Sequence, residues 1–284
     1  MFDPITLKLN IDPLLEMALK EDITEEDLST SCIIRKAKLG RAVLLAKEEG
    51  ILSGIQIFSR VFELIDPQTE IHLYQRDADP IRPGMVLGEL KGDIRVLLGG
   101  ERTALNYIQR MSGIASYARS MVRILDGTSI KLVDTRKTTP NNRIFEKYAV
   151  RTGGASNHRF NLSDGILLKD NHVAVAGGIR EAIQMAKSYA PFVHKIEIET
   201  ENLDEVREAL AAKADIIMLD NMEKEMIQQA IRLIDGKALI EISGNITLTN
   251  LEMYKDLAVN FISSGALTHS APSLDLSLNL DPIQ

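Results

Sequence analysis

Six short apolar runs beyond residue 129 each end in groups able to do chemistry. "IKLVDTRK" closes on Arg136 and Lys137, "GILLKD" on Lys169 and Asp170, and "KIEIET" carries Glu197 and Glu199. "IIMLD" ends in Asp220, "LIEIS" in Glu241 and Ser243, and "FISSG" in Ser263 and Ser264. Between the first two runs, "GGASNHRF" sets His158 beside Arg159. Arginine presents a planar fork that matches carboxylate and phosphate, and lysine a compact charge. Two or three of the carboxylates beside them are hard oxygen donors of the kind that suit Mg²⁺. A Ser-Gly turn directly after a strand leaves backbone N–H groups to hold a phosphate. Drawn to one place, these groups would bind a phosphorylated, multiply anionic substrate and stabilise its moving charge. One charged residue at a strand end marks only where a loop begins. Six in succession need another reason, because a charge held near a core is costly unless it is paired or serves a ligand.

The elements that position these residues follow from their periods. Alternate residues of a strand share a face, so Glu197 goes with Glu199, Met218 with Asp220, and Glu241 with Ser243. Glu199, Asp220 and Glu241 are spaced 21 residues apart, as are Ser243 and Ser264, which is one short βα unit per step. "GIREAIQMAKSYA", "NLDEVREALAAKA", "EKEMIQQAIRLID" and "TLTNLEMYKDL" read as the intervening helices. Strands alternating with helices imply parallel pairing with right-handed crossovers. Such a series builds an open doubly wound sheet or a barrel. Polar groups at every strand end favour the barrel, whose C-terminal rim carries the active site. With six strands in place of eight, an incomplete barrel is expected.

The first third reads as a small antiparallel sheet with helices. "DPLLEMALKED" and "IQIFSRVFELI" have helical spacing, and Thr24 opens a Thr-x-x-Asp helix start. "GRAVLLAKEEGILSG" reads as two strands broken at glycine, and residues 70–96 as strand-like runs cut by turns. Residues 101–126 carry an apolar stripe of one long helix, whose small-residue middle, "SGIAS", allows a close neighbour.

Bulk composition narrows the function further. The 284 residues are 45% hydrophobic and 26% charged, ordinary for a soluble globular protein. With 33 basic against 40 acidic residues, no nucleic-acid or membrane-surface partner is expected. An anionic ligand would need a local cationic cluster working against a net charge of -7. Cys32 is the single cysteine, which excludes an intrachain disulfide and reads as a small buried hydrophobe. The N-terminus has no basic region before an apolar core, and no run approaches a membrane span, so a cytoplasmic location is expected.

Nearly end to end, the chain resembles the quinolinate phosphoribosyltransferase family, also called carboxylating nicotinate-nucleotide pyrophosphorylase. The resemblance rests on "ERTALNYIQRMSGIAS", "DTRKTTP", "GGASNHRFNLSDGILLKDNH", "IEIET", "IMLDNM", "EISGNI" and "SSGALTHSAPSLDLSLNL", in that order. It implies an N-terminal α/β sandwich domain (1–110, with 270–284 returning to it) and an incomplete α/β, TIM-like barrel (111–269), the type II phosphoribosyltransferase fold. It implies the reaction of quinolinate with 5-phosphoribosyl 1-pyrophosphate, using Mg²⁺, to nicotinate mononucleotide, pyrophosphate and CO₂ in NAD synthesis.

By the family's pattern, Thr135, Arg136, His158, Arg159 and Lys169 would bind the substrate acid, with Lys137 reaching it or the pyrophosphate. Arg102 would come from the partner subunit of a homodimer. Glu199 and Asp220 would hold ribose hydroxyls and Mg²⁺, and with Lys137 and Lys169 would make up the catalytic set. Backbone groups of Ser243, Gly244 and Asn245, and of Ser264, Gly265 and Ala266, would cradle the 5-phosphate, with His269 nearby. The family usually has Ser-Gly-Gly where this chain has Ser243-Gly244-Asn245; asparagine tolerates a left-handed backbone. Three rival readings stand beside this one: a same-fold enzyme for another aromatic acid, a Schiff-base aldolase on Lys169, and a non-catalytic phosphate-binding protein. Arg102, Arg136, His158, Arg159 and Lys169 together suit two carboxylates better than one.

Overall fold

The computed structural model describes residues 2–282; Met1, Ile283 and Gln284, part of the expected N-terminal domain and its returning segment, lie outside the described residues. In chain order the main strands are β1 (Leu39–Ala46), β2 (Glu70–Leu73), β3 (Val86–Asp93), β4 (Lys131–Val133), β5 (Ile166–Leu168), β6 (Ile196–Thr200), β7 (Ile216–Asp220), β8 (Leu239–Ser243), β9 (Phe261–Ser263) and β10 (Leu276–Pro282). The main helices are α1 (Asp12–Asp22), α2 (Leu28–Ile33), α3 (Ile55–Ile65), α4 (Ile94–Ile124), α5 (Arg143–Thr152), α6 (Asp170–Ala176), α7 (Ile179–Tyr189), α8 (Leu203–Ala211), α9 (Lys224–Ile234) and α10 (Ala266–His269). Two compact units result: Met1–Tyr117 with Pro140–Gly153 and Ala271–Gln284, and Ala118–Thr139 with Gly154–Ser270.

The first unit holds a four-stranded antiparallel sheet in the order β10-β1-β3-β2. Alternate residues of β1, Ala42, Leu44 and Ala46, are fully buried, as period-two patterning requires. Helix α3 buries Ile57, Phe58, Val61 and Phe62 on its apolar stripe, each contributing about 1.5–3 kcal/mol of transfer free energy. Helix α4 starts at Ile94, earlier than the expected 101, because Gly99 and Gly100 lie inside it instead of ending it. A Cβ on Gly100 would stand 2.8 Å from Phe62 Cε1, so the missing side chain lets α3 and α4 approach. The small-residue middle of α4 has the neighbour expected of it: a Cβ on Gly113 would stand 1.9 Å from the Pro272 carbonyl, and Leu274 N–H donates to Gln109 O at 3.0 Å.

Segment Pro140–Gly153 also belongs to this unit. It carries α5, whose buried Glu146 pairs with Arg110 at 3.1 Å and whose Tyr148 hydroxyl donates to Asp77 at 2.6 Å. Two local expectations are corrected. Helix α2 is capped by Asp27, whose carboxylate accepts the Thr30 N–H, and does not begin at Thr24. Cys32 is exposed, not buried, and its thiol donates to Ser29 O at 3.2 Å.

The second unit is an incomplete α/β barrel. Its six parallel strands are ordered β4-β9-β8-β7-β6-β5. Read from β5, the ladder follows the chain to β9 and then meets the first strand, β4. The pairing that closure would need, β4 with β5, is absent among the described residues; a single parallel bridge from Ser156 to Val133 stands at that seam. Ile198, Ile217, Leu219 and Ile242 are buried on one face of the central strands, while the acidic residues alternate onto the other. The segment "TLTNLEMYKDL" is not an α-helix. Asn250 Oδ1 accepts the Thr247 N–H at 2.8 Å and ties a turn, leaving only the 3₁₀ turn Leu251–Tyr254. Among the described residues no helix is long and apolar enough to cross a membrane.

Candidate active site

The strand ends of the second unit surround a cavity of about 510 Å³, a size ordinary for small-molecule sites. Fourteen of the sixteen residues expected to bind substrate line it: Thr135, Arg136, Lys137, His158, Arg159, Lys169, Glu199, Asp220, Ser243, Gly244, Asn245, Gly265, Ala266 and His269. Arg136, Arg159 and Lys169 therefore share one hollow. Ser264 is not among the lining residues. It is buried, its hydroxyl donating to Ile246 O at 2.6 Å and its N–H to Val133 O at 3.0 Å, so it braces the rim. Arg102 is an exposed residue of α4 in the first unit.

At one end, the cations hang on a segment outside the strand ladder. Asp134, fully buried just past β4, accepts Asn157 Nδ2–H at 2.6 Å and the His158 main-chain N–H at 2.8 Å. That anchor sets Arg159, whose Nη1 donates to Gly165 O at 2.8 Å. Burial, then the neighbouring Arg136, lowers the guanidinium's pKa from its ordinary value. Two cations close enough to disturb each other favour an anion between them. Across neighbouring strands, Lys169 Nζ donates to Glu199 Oε2 at 2.7 Å.

The opposite end is built from backbone. Gly244 and Asn245 both have positive φ, 106° and 51°, a tight turn on the cavity wall. A Cβ on Gly244 would lie 2.3 Å from Asn221 Oδ1 and 2.8 Å from Asn221 N. Asparagine at 245 suits its left-handed φ, and Asn250 Nδ2–H donates to its carbonyl at 3.0 Å. Gly265 leaves room for Lys137 and His269: its Cβ would meet Lys137 Cδ at 2.8 Å and His269 Nε2 at 2.9 Å. Thr268 Oγ1–H donates to Lys137 O at 2.7 Å and ties the two loops together.

Beneath the cations, His158 Nε2 lies 3.1 Å from Glu197 Oε2 and 3.6 Å from Glu241 Oε2, with both carboxylates buried. Burial, then the charge of Glu197, pushes the Glu241 carboxyl up to about 8. Asn221, Thr247 and Ser270 line the cavity without having been expected there; Glu241, read from its strand end as part of the rim but given no ligand, lines it too. Asn221 had a readable signal, its place directly after Asp220; Asp134 had one too, as the last residue before the cationic loop.

Residues 27–112 match the model of the quinolinate phosphoribosyl transferase N-terminal domain, and 114–279 that of its C-terminal domain. The chain belongs to the quinolinate phosphoribosyltransferase family. It is 44% identical over 272 residues to a probable nicotinate-nucleotide pyrophosphorylase (carboxylating) of Bacillus subtilis strain 168, covering 96% of this chain and 94% of that one. The solved structure of NadC from Streptococcus pyogenes is 47% identical, covers 100% of this chain and 99% of its own, and superposes with a TM-score of 0.94. The nicotinate-nucleotide pyrophosphorylase of Francisella tularensis is 39% identical over 95% of either chain, with a TM-score of 0.90. An antiparallel α/β unit and an incomplete barrel are thus this family's type II phosphoribosyltransferase fold.

Proposed function

We propose that the chain transfers the phosphoribosyl group of 5-phosphoribosyl 1-pyrophosphate to quinolinate, with decarboxylation, giving nicotinate mononucleotide, pyrophosphate and CO₂ for NAD biosynthesis. The observation that carries this reading is one cavity with two different ends. Arg136, Arg159 and Lys169 face a common hollow, and the left-handed Gly244-Asn245 turn lies across it. A pyridine dicarboxylate suits the first end, and a 5-phosphate the second.

The residues' work is mostly positioning and charge stabilisation. The pyridine nitrogen attacks ribose C1 with its own lone pair, so no general base is needed. The bond from C1 to the pyrophosphate oxygen breaks, and its electron pair leaves on pyrophosphate. Once the nitrogen is quaternary, the bond to the adjacent carboxylate breaks; its electrons pass into the ring, which then takes a proton from solvent. Lys169 or Lys137 is the cation assigned to that carbanion-like stage. Glu199 and Asp220 hold the ribose hydroxyls. These two carboxylates end neighbouring strands and are a hard oxygen donor set, which fits Mg²⁺; when bound, the ion supplies neutralising charge for the pyrophosphate.

The reading includes a homodimer in which Arg102, exposed on α4, reaches the partner's acid pocket. It assigns the chemistry to the barrel unit, and it includes action in the cytoplasm, which the single free cysteine suits. The test is to mix protein, quinolinate, the ribosyl donor and Mg²⁺, with nicotinate in a parallel assay. Release of CO₂ with nicotinate mononucleotide from quinolinate alone is expected; turnover of nicotinate without quinolinate turnover would overturn the reading.

A further inference from the structure

His158 lines the cavity, yet both of its ring nitrogens are engaged by protein. Nδ1 accepts the main-chain N–H of Arg159 at 2.7 Å. A ring nitrogen that accepts a hydrogen bond carries no proton, so the neutral ring's proton lies on Nε2, which stands 3.1 Å from Glu197 Oε2. Glu197 is 4% exposed and Glu241 3%. Among the described residues, Oε1 of each lacks a hydrogen-bond partner, which for a buried carboxylate calls for a reason.

A metal ion is one candidate reason, since donor atoms of His158, Glu197 and Glu241 lie within 4.8 Å of one another. The tautomer argues against it. A metal on Nε2 would send the ring proton to Nδ1, facing the Arg159 N–H.

We infer that Glu197 is a positioning residue for the substrate acid: it accepts the Nε2–H of His158, and the ring so fixed holds the Arg159 main chain and aims its guanidinium into the cavity. Residues 157–159 need such a device because they lie outside the strand ladder. Asp134 ties their main chain on one side, and the Glu197–His158 pair fixes the other. The inference rests on the proposed reaction for its kinetic arm only.

The test compares Glu197→Ala with Glu197→Gln, whose amide oxygen still accepts the Nε2–H. The alanine variant is expected to raise KM for quinolinate about tenfold or more, leaving KM for the ribosyl donor and kcat within about threefold. The glutamine variant is expected within about threefold of the parent throughout. Equal impairment of the two variants, or a matching rise in both KM values, would overturn the inference. Nitrogen-15 NMR of the parent protein, with His158 assigned by its loss in His158→Gln, is expected to show a proton on Nε2 and none on Nδ1. The opposite tautomer, or a metal-bound ring, would overturn it even if Glu197→Ala failed to fold. A protein that turned over no quinolinate would refute the proposed reaction and leave the NMR result to decide this one.

Discussion

Lys169 and Glu199 stand 2.7 Å apart across neighbouring strands β5 and β6, each fixing the other at the rim of the cavity. Lys169 is nearly half exposed, and exposed ion pairs contribute only about 0–1 kcal/mol to stability. The pair's value is therefore in placing charge. Lys169→Met is expected to leave thermal unfolding within a few degrees of the parent and to slow CO₂ release about 100-fold or more. Release measured from carboxyl-labelled quinolinate checks it; an unchanged rate would remove Lys169 from the chemistry.

Arg159 is a partly buried cation of the cavity, and its neighbour Arg136 is close enough to lower its pKa further. Arg159→Ala should cost one charge-assisted carboxylate contact, about 1.5–3 kcal/mol, or roughly 10- to 150-fold in KM for quinolinate. KM for the ribosyl donor should move far less. Steady-state kinetics with each substrate varied in turn separates the two.

On the proposed reaction, backbone N–H groups of the Gly244-Asn245 turn hold the 5-phosphate. Gly244→Ala adds a Cβ 2.3 Å from Asn221 Oδ1 at φ 106°, a conformation alanine adopts only at a cost of about 1–2 kcal/mol before any clash. A rise of about tenfold or more in KM for the ribosyl donor is expected, with KM for quinolinate little changed. Asn245→Gly, at φ 51°, should be kinetically close to the parent.

Glu241 makes stability depend on pH. Its folded pKa is raised from 4.5 to about 8 by burial and by Glu197, so the folded protein holds a proton that the unfolded chain releases. The resulting stabilisation is complete below pH 4.5 and is lost as pH rises toward 8. One proton corresponds to a slope of at most about 1.4 kcal/mol per pH unit. Urea unfolding of Glu241→Gln, which cannot titrate, should show a flatter decline between pH 5 and 8 than the parent. Parallel curves for the two proteins would contradict the assignment.

Much of this was legible because each part had a distinct period. Strands and helices alternate in "KIEIET" through "FISSG", and each strand stops at a polar residue, so the rim is readable from the sequence alone. Depth was not legible. Glu197 and Glu199 share a face, yet one is buried under His158 and the other partly open beside Lys169; alternation gives the side and not the level. Contacts at long sequence separation were hidden too. Asp134 holds Asn157 and His158 more than twenty residues away, and only folding joins them. The early start of α4 was missed because a glycine pair reads as a helix breaker until Phe62 is found packed against it.

The gap between β4 and β5 divides the cavity mouth into parts held in different ways. Ser243 to Thr247 and Gly265 to Ser270 extend from strands locked into the continuous ladder, whereas Asn157 to Arg159 follow one bridging residue and are held by side-chain bonds. On the proposed reaction, a change in that tether would retune which acid is accepted while leaving the ladder-borne loops assigned to the sugar phosphate in place. The missing rung would then let selectivity and phosphate anchoring vary independently.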